Sequence, residues 1–167
     1  LQVMSSQPKI VNYMDLPVQH ASGRILKRMN RSGDRQSLTD LMARIRRLVP
    51  GITLRTTLIA GFPGETEEDF EELCEFVREI RFDRLGCFAY SREEDTPAYD
   101  MPEQIEDAVK QRRSEIVMET QSAIAIEAGE RHLGKVLEVL CEGYDRFSEC
   151  WFGRSPMDAP DVDTKVF

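Results

Sequence analysis

The chain reads as an α/β domain built on parallel strands, followed by a small β domain. Three observations predict this. Strand-like runs at Tyr13 to Val18, Leu54 to Ala60 and Asp83 to Tyr90 alternate with helix-like stretches, and such alternation implies parallel pairing through right-handed crossovers. The stretch Leu54 to Thr66 joins an apolar, β-branched strand to a tight turn at Gly61, Pro63 and Gly64, and then to a helix start. After Gly134 the pattern changes. Strand-like segments at Val136 to Cys141 and around Trp151 and Val166 follow without a long helix. A boundary near residue 133 therefore divides 1–132 from 133–167.

Each element has its own signal. Tyr13 to Val18 is a short strand interrupted by Pro17, with Gln19 and His20 just beyond it. Ser22 caps a helix carrying Ile25, Leu26 and Met29 that ends near Gly33. A second helix is expected to start at Ser37, with Asp40 completing a capping-box-like pattern. Its apolar stripe is Leu38, Leu41, Met42, Ile45 and Leu48, and Pro50-Gly51 ends it. Thr66 is a good N-cap, and Glu67, Glu68 and Asp69 suit the positive end of a helix. Phe70, Leu73, Cys74, Val77 and Ile80 then recur at helical spacing. Asp83 to Tyr90 is the third strand, Ser91 to Tyr99 a polar loop, and Pro102 opens a long helix to about His132. Three strands are too few to close an eight-stranded barrel.

Composition narrows the function. The 167 residues, 41% hydrophobic, suffice for one ordinary domain or one plus part of another. No apolar run is long enough to cross a membrane and no signal segment opens the chain, so a cytoplasmic location is expected. The abrupt start at Leu1 suggests a piece of a longer protein. The net charge of −8 disfavours general binding to nucleic-acid phosphates. Cys74, Cys87, Cys141 and Cys150 form no C-x-x-C or C-x-x-x-C-x-x-C group, so they read as isolated thiols rather than a metal site, with disulfides as the alternative. His20 and His132 are the only histidines and read as ordinary loop or helix-end residues. Charge is segregated: residues 22–55 carry nine basic and two acidic residues, residues 65–83 nine acidic and two basic. Solvated helix faces account for this, with a docking surface as the alternative.

Ligands of parallel α/β proteins bind at the carboxyl ends of the strands, so the Gly61 to Gly64 turn marks a candidate site. Arg55 is the one charge in the strand that leads to it. A guanidinium placed there needs a partner, either a ligand carboxylate or an internal one.

Leu16-Pro-Val-Gln-His20, Arg28-Met-Asn-Arg-Ser-Gly33, Arg55 to Glu65 and Asp83 to Ser91, in that order, resemble the radical S-adenosylmethionine methylthiotransferases. The match is closest to the branch that modifies an aspartate of a small-subunit ribosomal protein. Gly153 to Asp163 resembles the start of that family's TRAM domain. The resemblance implies that 1–132 is the C-terminal half of a radical SAM (βα) TIM-like barrel. It implies that 133–167 is the truncated start of an antiparallel TRAM β-barrel. It also implies a full-length parent that uses S-adenosylmethionine and two 4Fe–4S clusters. The cluster-binding cysteine loop and the N-terminal domain would lie upstream, leaving this segment without a cluster and inactive alone.

By the same resemblance, the cofactor-binding positions are Gln19, Arg55, Ile59, Gly61, Phe88, Ala89 and Tyr90. Gln19 would hydrogen-bond the ribose, with satisfaction of a loop backbone as the alternative. Arg55 would pair with the methionyl carboxylate, or with a carboxylate inside the barrel. Ile59 and the Gly61 to Gly64 turn would pack beside the adenine, flanked by Phe88, Ala89 and Tyr90 from the next strand. Phe88 and Ile59 also suit an ordinary core, and the glycines an ordinary turn. Glu65, Glu67, Glu68 and Asp69 would repel a phosphate but not a cationic sulfonium.

The implied partners are a small-subunit ribosomal protein and an electron donor, with neither a membrane nor direct RNA binding. A tRNA methylthiotransferase is the alternative within the same chemistry, and a non-catalytic binding module the alternative outside it. Residues 133–167 carry four basic and seven acidic residues. An RNA-binding barrel should be basic, whereas a surface for a basic protein can be acidic.

Overall fold

The computed structural model describes residues 1–167. The first part contains α1 (Gln2–Ser6), β1 (Tyr13–Asp15), α2 (Gly23–Arg28), α3 (Arg35–Leu48), β2 (Thr53–Ala60), α4 (Glu67–Ile80), β3 (Arg84–Ala89) and α5 (Asp107–Glu130). The second contains β4 (Leu140–Asp145) and β5 (Cys150–Arg154).

The three expected strands form one wholly parallel sheet of order β1-β2-β3. β2 is central and longest because its even residues are uniformly apolar or small. Leu54, Thr56, Leu58 and Ala60 are all fully buried. They pack on the helix layer, where Met42 and Ile45 of α3 meet Phe70, Leu73, Phe76 and Val77 of α4 and Val117 and Ile124 of α5. Each fully buried large side chain contributes about 1.5–3 kcal/mol, so this one-sided core holds the sheet. Arg55, Thr57 and Ile59 alternate onto the opposite face. Their register partners are Arg84, Gly86 and Phe88, and Asp15 pairs with Arg55 from β1.

Several boundaries depart from the expectations above. The cap of α3 is Asp34, not Ser37. The Asp34 carboxylate accepts from the Ser37 backbone N–H and the Ser37 hydroxyl accepts from the Asp34 backbone, a closed capping box. Thr66 caps α4 as expected, with Asp69 reciprocating. β1 stops at Asp15, and Gln19 rejoins the sheet only as an isolated bridge to Leu58. α5 begins at Asp107 because Gln104 holds the preceding residues in a turn through Ala98 O and Met101 O. α1 was not expected. Strand β4 lies four residues later than the apolar run at Val136 that marked it. The β4–β5 hairpin is antiparallel, with Gly153 bridged to Val166.

The segregated charges are not simply solvated faces. Arg35 of α3 reaches Glu75 and Glu79 of α4, and Arg46 donates to the carbonyls of Ile80 and Arg81 at the end of α4. Pairs this exposed add little stability, but they fix the order of the two helices.

The tail also docks on the sheet. Asp163 accepts from the Tyr13 hydroxyl at 2.6 Å, and Asp158 pairs with Arg84 at 2.7 Å.

Candidate functional site

At the carboxyl ends of the strands, three connections converge: Gln19 after β1, the Gly61 to Gly64 turn after β2, and Tyr90 after β3. They are fastened by a buried polar hub. Glu65 is 5% exposed. Its Oε2 accepts from the Gly61 N–H at 2.8 Å and faces His20 Nε2 at 3.2 Å. Its Oε1 accepts from Arg113 of α5 at 2.8 Å. One carboxylate thus ties β1, the β2 turn and α5 together, and every group it meets is paired, as buried charge requires.

The turn needs its glycines. Gly61 has φ +77°, and a Cβ there would lie 2.8 Å from Lys110 Cβ and 3.0 Å from Lys110 Cα. Gly64 has φ +81° and abuts the Arg28 guanidinium and Glu103. Both conformations disfavour larger residues, and at Gly61 the approach of the α5 backbone excludes them as well. Gly61 therefore turns its Cα toward α5, which supports the plain turn role.

Gln19 differs from its surroundings. It has φ 71°, a left-handed conformation costing about 1–3 kcal/mol outside glycine. Its backbone is held on both sides, N–H to Thr57 O at 2.9 Å and carbonyl from Ile59 N–H at 2.8 Å. Its side-chain amide has no partner in the chain. It lines a cavity of about 320 Å³ together with Ile59, Phe62, Arg28, Asn30 and Met101. That volume falls at the lower end of small-molecule sites, about 300–1,000 Å³.

Around this cavity the rings are ordered. Phe62 and Tyr90 meet edge to face, centroids 5.2 Å apart. The Tyr90 hydroxyl is enclosed without a hydrogen-bond partner, and burial pushes its phenol above the ordinary value. Phe88 lies on the open face in register with Ile59 and is 61% exposed. It is not a core residue.

Arg55 and Ala89 are placed otherwise than expected. Arg55 pairs in register with Asp15, the last residue of the short β1, and with Arg84, the first of β3, about 13 Å before Ile59 at strand rise. It stands at the opposite end from Tyr90. Its guanidinium is already engaged by Asp15 at 2.6 Å and lies 3.7 Å from Asp163, so the internal-carboxylate alternative describes it. Ala89 pairs with the buried Ala60, so its side chain shares the helix-facing side and not that of Phe88.

The acidic turn also needs correction. Glu65 and Glu67 pair with Arg113, and Asp69 pairs with Arg24 and accepts from Ser22. Burial pushes the Asp69 carboxyl up, but hydrogen bonds from Arg24, Ser22 and Thr66 outweigh it and hold it well below the carboxylate range. Of the four acids only Glu68 lacks an ion pair, so repulsion of a phosphate at this turn is weak.

Residues 2–77 match the family model of the Radical SAM superfamily. Over its whole length the chain is 47% identical to the ribosomal protein uS12 methylthiotransferase RimO of Alkaliphilus oremlandii and 49% identical to that of Lachnoclostridium phytofermentans. It is 46% identical to the one from Geobacter sulfurreducens. The chain is thus similar to the radical SAM proteins through residues 2–77 and to these methylthiotransferases throughout. It spans 38% of the length of each of these curated relatives. Among solved structures, Escherichia coli coproporphyrinogen III oxidase superposes on 71% of this chain and 27% of its own, with TM-score 0.48 and 22% identity.

Similarity to the Radical SAM superfamily implies S-adenosylmethionine and iron–sulfur clusters. The cavity suits the former: Ile59 and Phe62 offer an apolar wall, and the unpaired Gln19 amide can donate and accept. The chain's own residues do not suit a cluster. No three His, Cys, Asp or Glu side chains converge. Cys74 sits on α4 and is buried, and burial pushes the Cys87 thiol up to about 12, the reverse of a thiolate ligand. No helix is long and apolar enough to cross a membrane.

Proposed function

We propose that this chain is part of a radical S-adenosylmethionine methylthiotransferase that adds a methylthio group to the β-carbon of an aspartate in ribosomal protein uS12. The observation that carries this is 44–49% identity over essentially the whole chain to relatives bearing that name. Residues 1–132 are read as the C-terminal half of the TIM-like barrel and 133–167 as the start of its TRAM domain. The parallel sheet supports the first assignment, and the antiparallel β4–β5 hairpin the second.

Bound S-adenosylmethionine supplies radical chemistry that no side chain can. This chain's residues bind and orient. Gln19 hydrogen-bonds the ribose hydroxyls, Ile59 and Phe62 pack on the adenine, and Phe88 closes the open face beside them. Tyr90 presents a protonated hydroxyl behind Phe62. Gly61 acts through the turn, and Arg55 is excluded by its place and its partners. No cluster ligand is assigned to this chain.

The acidic tail favours a basic protein substrate over tRNA. Anaerobic incubation of the full-length protein with reductant, sulfide, S-adenosylmethionine and a uS12 peptide tests the proposal. The expected product is the peptide heavier by a methylthio group in place of hydrogen, on the aspartate. Modification of tRNA instead of the peptide would overturn it.

A further inference from the structure

His20 is wholly buried, and sequence patterning passes it over as an ordinary loop residue. Both of its ring nitrogens are engaged. Nδ1 accepts from the Ser22 backbone N–H at 3.0 Å, which places the ring proton on Nε2, facing Glu65 Oε2 at 3.2 Å. Ser22 is the N-cap of α2, and α2 leads into Met29 and Asn30 on the cavity wall. Glu65 holds the Gly61 turn. The imidazole therefore ties the start of α2 to the Gly61 turn behind the cavity, and the residue before it is the strained Gln19.

A left-handed glutamine relaxes unless its neighbours over-determine it. Two backbone bonds to β2 hold the peptide groups on either side of Gln19, and the ring of His20 adds two further anchors on the very next residue. The ring bonds thus over-determine the strained residue.

We propose that His20 is a positioning residue for the cofactor: by bridging Ser22 and Glu65 it locks Gln19 left-handed, so that the Gln19 amide faces the ribose of S-adenosylmethionine. The proposal rests on the reading of the cavity as the S-adenosylmethionine site.

The test uses the full-length reconstituted protein and calorimetric titration with S-adenosylmethionine. His20→Asn keeps an acceptor near Nδ1 and loses the reach to Glu65; His20→Gln keeps that reach and loses the acceptor for Ser22. Each should weaken binding about three- to tenfold, the size of one or two lost hydrogen bonds. Gln19→Ala should weaken it similarly. In the Gln19→Ala background neither His20 variant should add more than about twofold, because both act through one group. Fully additive losses would overturn the positioning role while leaving the Gln19 contact standing. A Gln19→Ala protein that binds normally would overturn both. A variant that misfolds does not end the matter: the nitrogen-15 spectrum of wild-type His20 should show the Nε2-protonated ring, and an Nδ1-protonated ring refutes the bridge.

Discussion

The two ends of the parallel sheet use the same residue types to opposite effect. At the amino end, Asp15, Arg55, Arg84, Asp158, Asp163 and Tyr13 face one another on the open side, and the pairs Arg55–Asp15, Arg84–Asp158 and Tyr13–Asp163 close within hydrogen-bond distance. At the carboxyl end, the charges of Glu65, Arg113 and Asp69 are also paired. There, however, the Gln19 amide is left without a partner beside a cavity, and the Tyr90 hydroxyl close by has none. A paired charge is architecture. An unpaired polar group held in a strained backbone marks the place where a ligand belongs.

The largest expected effect lies at the carboxyl end. Glu65→Ala strands the Arg113 guanidinium, the His20 N–H and the Gly61 N–H in a dry interior. Breaking a buried pair from one side costs about 3–5 kcal/mol, read as a fall in the urea midpoint. Glu65→Gln should cost less, since one oxygen still accepts. Equal midpoints for Glu65→Ala and wild type would mean the hub does not join the three connections.

Next comes Gly61→Ala. The left-handed φ and the approach of Lys110 together should cost about 2–4 kcal/mol. Lys110 can turn its Cγ aside but not its Cβ and Cα, which stand 2.8 and 3.0 Å from the added methyl. A variant at Gly51, whose φ is +76° but whose surroundings are open, should lose only the conformational part. Equal losses at the two positions would remove the packing contribution.

Arg55→Lys probes the other end. The lysine cannot hold Asp15 and Asp163 in one planar fork, so stability should drop by about 1–3 kcal/mol. Proteolysis within residues 155–163 should speed up, while affinity for S-adenosylmethionine stays within about twofold. Weaker cofactor binding with an unchanged tail would erase the distinction between the two ends.

What sequence patterning conveys follows from what each signal depends on. The β2 strand, its turn and the Thr66 cap are local signals, and they survive unchanged. The Arg55 placement failed because a charge in an apolar strand says only that a partner exists. The strand's direction puts Arg55 at its start, and the partner, Asp15, is visible only once β1 and β2 are set in register. His20 failed for a similar reason: its partners are one backbone N–H two residues on and one carboxylate 45 positions away. In sequence Glu65 reads as one of four acids that would repel a phosphate, yet its hydrogen bond to Gly61 four residues back turns it inward. The tail's Asp158 and Asp163 carry no pattern that predicts docking. A left-handed glutamine has no sequence signature at all.

The smallest effect is one of pH, and it isolates the amino end. Burial pushes the Asp158 carboxyl up, but hydrogen bonds from Ser155 and then Arg84 outweigh it, so it titrates below the ordinary carboxylate value. A carboxyl depressed in the folded state contributes stability that is fully present above its unfolded pKa, about 3.9. That contribution fades as pH falls through the lower folded value. The stability gap between wild type and Asp158→Asn should therefore stay constant from pH 7 to about pH 5 and narrow below about pH 4. Urea titrations of both proteins over that range measure it. Because Asp158 touches the tail and Arg84 but nothing at the carboxyl end, cofactor affinity above pH 5 should be the same in the two proteins. A gap that widens with acid would mean the folded state raises this carboxyl's pKa, and the Arg84 pair would then not be what holds the tail to the sheet.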